Sequence, residues 1–290
     1  MLIAAALLHT GARISLTAFT VHPSTVVGIV GLAAVYESRR GKGNGGIGTG
    51  GDSVAPSPIP HPPSRIPFYT ALAVMFFSLN GWLHDLGDSY LFSAHMVQHL
   101  LLAFVVAPLL IMGVSGEMLR PLLEFRGVRA VARWVTAPTH CFAIFNIVVA
   151  GWHLPPLYNY ALAHHPAHIV QHLMFLAASV LMWWPVLSPM PELPRLSYPG
   201  QMLYLFLLSI PMAIVSVYIS YADTVLYPMY ASAPRVWGVS PMNDQMIGGL
   251  IMWIPGGLFF YTIISIVFFR WQQHDGEESR AAAQVDWRAV

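Results

Sequence analysis

The residues in this chain best suited to chemistry are histidines, and their spacing matters more than their number. His95 and His99 are four apart, as are His168 and His172, and His165 stands three before His168. Helical residues four apart share a face and differ in height by about 6 Å. Two helices packed with such stripes facing bring four imidazoles to one level, and His153 in WHLPPLY closes a further apolar stretch at the same depth. Neutral imidazole is a ligand for copper, zinc or iron, and the neutral ring is also the cheaper form to hold at a membrane boundary.

Other groups lie near enough in sequence to contribute. Met96 adjoins the first pair, and Met242 and Met246 flank the start of the last apolar stretch, where thioether sulfur would tilt the choice towards cuprous copper. With 14 methionines in an apolar chain, packing is the ordinary role of each. Asp244, opening MNDQMIGG, reads as a ligand, as a group orienting a ligand, or as a helix cap. His84, with Asp85 and Asp88 in WLHDLGD, and His164 suit a solvated outer loop as well as ligation. A lone histidine at a helix end is ordinarily interfacial, but two matched pairs within apolar spans favour a metal site over a hydrogen-bonded cluster. The single Cys141 excludes an intramolecular disulfide framework and a thiolate cluster, and it is read with His140 as packing.

The elements that must hold these side chains are membrane helices. Of 290 residues 56% are apolar and 9% charged, against about a quarter charged in soluble domains. Mean hydropathy is +0.59. The net charge of +1 gives no case for a nucleic-acid partner. Apolar stretches near 18–37, 66–83, 93–113, 134–153, 166–187, 200–221 and 244–270 are each long enough to cross about 30 Å of hydrocarbon as a helix. The expectation is an all-α bundle of about seven transmembrane helices over 18–270. Residues 1–17 read as an outer lead-in, 38–65 as a flexible Gly/Pro-rich cytoplasmic loop, and 271–290 as a cytoplasmic tail. Twelve of 14 basic residues then fall on one side, all but Arg13 and Arg235, which assigns that side to the cytoplasm and the N-terminus to the outside. In that frame eight of 13 histidines gather at the outer ends of four helices.

Four motifs, AHMVQHLLL at 94–102, GWHLPPLYNYAL at 151–162, HIVQHLMFLAA with WWPVL after it, and NDQMIGGLIMW at 243–253, occur in one order along the chain. Together they resemble the multispan CtaG family of cytochrome c oxidase assembly factors, over about residues 66–270. The resemblance implies a seven-helix protein of the bacterial plasma (inner) membrane, not an enzyme, that supports copper insertion into a heme-copper oxidase subunit. Carried over by motif, the functional positions are His95, His99, His153, His168, His172 and Asp244. A surplus of exchangeable ligands suits transfer better than one closed cage, with a periplasmic copper donor as a further partner. The outer loop from Ala222 to Met242, with Tyr227, Met229, Tyr230 and Trp237, is a candidate docking surface. The alternatives are a membrane di-iron or heme-dependent oxidoreductase using the same histidines, and a metal-free scaffold.

Overall fold

The computed structural model describes residues 19–43 and 65–286. The lead-in at 1–17, His9, His61 and most of the Gly-rich loop lie outside the described residues. Within them every regular element is helical.

Helix α1 is Pro23–Gly43, α2 Arg65–Ser78, α3 Gly81–Ser89 and α4 Phe92–Gly113. A short turn and a 3-10 segment, Arg120–Glu124, lead to α5, Arg126–Val135. Then come α6 Pro138–His153, α7 Pro155–Ala163, α8 His165–Leu187, α9 Tyr198–Ser220, α10 Pro228–Ser232 and α11 Pro241–Asp286. Proline stands in the first turn of α6, α7, α8, α9 and α10, where its missing N–H costs nothing and its fixed φ starts the helix. The same chemistry explains the break in WHLPPLY, because Pro155 ends α6 and begins α7.

Helices α4, α8, α9 and α11 are each long and apolar enough to cross a membrane alone. The pairs α2 with α3, bent by 48°, and α5 with α6, bent by 70°, qualify only as joined pairs, so the described residues hold four to six candidate spans. The expected first span, near 18–37, is instead a helix shifted to Pro23–Gly43 that takes in Glu37, Arg39 and Arg40, and it is not among them. The outward faces are apolar: Ile147, Leu173, Leu203, Ile214 and Leu258 are all exposed. An apolar exterior on this scale is the surface of a membrane protein.

At the centre lies α4, which packs against α2, α3, α8 and α11. Its middle, Leu101–Val106, is a π-helical turn. There the Ala107 N–H bonds to the Leu102 carbonyl, five residues back. The next donor in that wide register is Pro108, which has no N–H, so the Ala103 carbonyl loses its helical partner. Buried Trp183 of α8 replaces it, its Nε1–H donating to Ala103 O at 2.7 Å. Trp183→Phe keeps most of the ring packing but leaves that carbonyl orphaned in the core. It should lower thermal stability in detergent by about 1–3 kcal/mol; an unshifted melting curve would mean that another donor satisfies the carbonyl.

Candidate metal centre

The site is assembled from helix ends. α4 carries His95 and His99 one turn apart, α8 carries His168 and His172, α6 ends on His153, and α3 contributes His84 and Asp88. All these histidines are buried. The expected convergence of the two i, i+4 pairs therefore occurs. One ligand atom from each of His95, His168 and His172 lies within 4.8 Å of the other two. His99 Nε2 stands 2.9 Å from His95 Nε2, and the His153 ring lies 5.8 Å from that of His99.

Hydrogen bonding sets which nitrogens are available. His153 donates its Nδ1–H to the Val149 carbonyl at 2.7 Å, which leaves Nε2 with a lone pair, buried and without a partner. His168 Nε2, His99 Nδ1 and both nitrogens of His172 are likewise buried without hydrogen bonds. Unsatisfied polar atoms cost free energy in an apolar interior, on the order of 1–3 kcal/mol each. A group of imidazole lone pairs left open together is the arrangement that a d-block ion satisfies.

Asp88 stands among three of the rings. Its Oδ2 is 3.2 Å from His84 Nε2 and 3.3 Å from His168 Nδ1, and its Oδ1 is 3.5 Å from His95 Nδ1. A carboxylate so placed orients the imidazoles by hydrogen bonding, or joins them as a ligand. What brings it there is Gly87. A Cβ at that position would sit 3.0 Å from the His95 backbone, so any other residue would push α3 and α4 apart by a few tenths of an ångström. Gly81, at φ +70°, turns the chain out of α2 into α3.

The remaining sequence candidates fall outside the ring of histidines. Asp244 is buried, but its oxygens face the start of α4, accepting from Phe92 N at 2.6 Å, Ser93 N at 3.1 Å and Ser93 Oγ at 2.5 Å. It holds the helix that carries His95 and His99 and acts on the rings through that helix. Met96 is buried against α11, beside Gly248, which makes room for the ring of Phe92. Met242 is half-buried and Met246 is exposed, so nitrogen and not sulfur defines the cluster. His165 is exposed, 6.5 Å ring to ring from His22. In the proposed docking loop, Tyr227 and Tyr230 are buried instead, and only Trp237 stands well out. The Tyr230 hydroxyl donates to Gly87 O at 2.7 Å, Tyr158 donates to Tyr230 at 3.0 Å, and Tyr227 donates to His153 O at 2.9 Å. Burial pushes the Tyr158 and Tyr230 phenols well above their ordinary range, so they stay neutral donors that brace the site.

An all-helical membrane protein with a buried cluster of histidines drawn from four helices is the class that fold and site define. Within it, the chain belongs to the family of cytochrome c oxidase caa3 assembly factors, whose profile matches residues 55–274. Relatives in Mycobacterium bovis and Mycobacterium tuberculosis, both described as uncharacterized proteins, are each 26% identical over 286 residues, covering 91% of this chain and 40% of their own length. A third, from Mycobacterium leprae, is 22% identical over 240 residues, covering 77% of this chain and 36% of its own. This chain thus spans well under half the length of those relatives. No solved structure matches it.

Asp244→Ala removes both the acceptors and the negative charge from the start of α4. The expected loss is about 1–2 kcal/mol of stability, with faster amide hydrogen exchange at Phe92 and Ser93; unchanged exchange there would show that water caps the helix equally well.

Proposed function

We propose that this protein is a non-catalytic assembly factor that carries copper within the membrane and passes it to a heme-copper oxidase subunit. The observation that carries this reading is the convergence of His95, His168 and His172 with buried nitrogens that lack partners. Membership of the oxidase assembly family supplies the recipient. Copper is the best fit among the divalent ions an imidazole set takes, since it stands highest in the affinity order, while zinc and iron bind the same donors more weakly. His99 and His153, adjoining the triad, offer alternative ligands, and exchange among several imidazoles is what release to an acceptor requires.

In this reading the bundle has seven spans, α1 with its exposed Val27, Val30 and Val35 being the first. The N-terminus is outside, the C-terminus in the cytoplasm, and the histidines face the periplasm, where a soluble donor delivers the metal. The bias of basic residues supports that orientation.

Chelator-resistant copper should accompany the purified protein after copper loading, and His95→Ala with His172→Ala should remove nearly all of it by elemental analysis. Unchanged occupancy in that variant would take the pair out of the site. A Soret band in the purified protein would favour heme instead. Loss of the gene should lower active oxidase while its subunits are still made, and a fully metallated oxidase in the deletion strain would count against the assembly role. Orientation is separately checked with Cys141→Ser protein carrying Trp237→Cys. A membrane-impermeant maleimide added to intact spheroplasts should label it, and labelling only after lysis would reverse the topology.

A further inference from the structure

Helix α5 takes no part in the core, for none of its residues is buried. At about 100° per residue, Arg126, Arg129 and Arg133 fall on one side of it and Val128, Val131 and Val135 on the other. Val128 and Val131 are exposed, as is Trp134 near the end of the helix. The helix holds no acidic residue to offset its arginines. The side chains of Arg126 and Arg133 form no hydrogen bond or ion pair among the described residues. Arg129 uses only its Nε–H within the chain, donating to Leu123 O at 2.9 Å.

The elbow between α5 and α6, bent by 70°, is held by side chains. The last carbonyls of a helix lack donors, and Pro138, which has no N–H, stands where the helical donor to Trp134 O would be. His140 Nδ1 donates to Trp134 O at 2.7 Å instead, Cys141 Sγ donates to Val135 O at 3.2 Å, and Thr136 Oγ1 donates to Ala132 O at 2.7 Å. From this elbow α6 runs to His153, so α5 lies at the membrane face opposite the histidines. With α6 crossing the bilayer, the bend lays α5 close to the membrane plane.

Unpartnered arginines are costly in hydrocarbon, and exposed valines are costly in water. A helix at the boundary meets both demands, with its valines among acyl chains and its guanidinium groups level with the headgroups. Trp134 has the amphipathic ring that sits at that depth. Guanidinium pairs closely with phosphate oxygens. A zwitterionic headgroup brings its own cation to its phosphate, whereas an anionic one leaves that place to the protein. We infer that α5 is an interfacial helix that binds the headgroups of anionic phospholipids through Arg126, Arg129 and Arg133, seated on acyl chains by Val128, Val131 and Val135. The braced elbow passes that anchorage to α6 and fixes its depth. This surface is independent of the carrier reading.

Two measurements on the full-length protein test it. In Cys141→Ser protein, whose hydroxyl still donates to Val135 O, a nitroxide is attached at Val131→Cys or at Ala130→Cys, in bilayers of phosphatidylglycerol and phosphatidylcholine. The label at 131 should relax with oxygen, and the label at 130, on the arginine side, with a water-soluble nickel chelate. Any other pattern overturns the interfacial helix, including a label at 131 shielded from both reagents by a second copy or another protein. Separately, binding of phosphatidylglycerol and phosphatidylcholine is compared in detergent. Wild type should prefer phosphatidylglycerol, and Arg126→Gln with Arg133→Gln should weaken its binding by about fivefold per arginine. Neither side chain has a partner within the described residues, so the variant should keep its fold. Equal binding of the two lipids by wild type, a variant that keeps the full preference, or ready displacement of the lipid by inorganic phosphate overturns the anionic headgroup as the ligand.

Discussion

Everything at the site depends on how closely α3 lies on α4. The absence of a side chain at Gly87 lets the two backbones approach until a Cβ would touch His95, and that contact delivers Asp88 to rings that belong to other helices. Without it the histidines of α4 and α8 would still face one another, but in an apolar interior with no counter-charge. Burial makes charge expensive and therefore makes each polar partner count. A single carboxylate among three imidazoles fixes their headings more firmly than it would in water. The tyrosines behind it serve the same end, because the Tyr230 hydroxyl bonds to the carbonyl of Gly87 itself.

The two histidine pairs were legible from spacing alone, because helical periodicity is enforced wherever backbone groups must be satisfied internally. Depth along each helix followed from length, and so the meeting of α4 and α8 was expected. Asp88 was not. WLHDLGD has the glycine and the two acids of a solvated turn and is too short to cross a membrane, so nothing in it announces a buried helix. Its burial comes from α4, a neighbour that no local window includes. The placing of His22 beside His84 is illegible for a similar reason, since it depends on the bond from His22 N to the Asn80 side chain and on that from Gly81 N to Thr20 O, and not on any periodic pattern.

Asp244 shows the opposite case. An acid at the start of an apolar helix suggested its own cap, yet it caps a different helix, α4, which is 152 residues away in sequence. Local rules gave the chemistry of the group correctly but could not name its partner. The thioether tilt failed differently. Met96 and His95 are consecutive, and successive helical residues point about 100° apart, so a methionine beside one of these histidines in sequence is turned from the cluster in space. The first helix outruns its apolar stretch, whose hydropathy stops at Tyr36 while the helix runs on through Glu37, Arg39 and Arg40.

The wide turn in the middle of α4 separates two tasks that a regular helix would tie together. In an unbroken α-helix every side chain is locked in phase with every other, so turning the lower half to suit its neighbours would swing the upper half by the same angle. The extra residue in the π register lets the two halves be indexed independently. His95 and His99 keep their heading while Phe104 stacks on Phe259 and Gly113 lies against Phe68. Sequence drift in the lower bundle is thereby insulated from the imidazole layer above it.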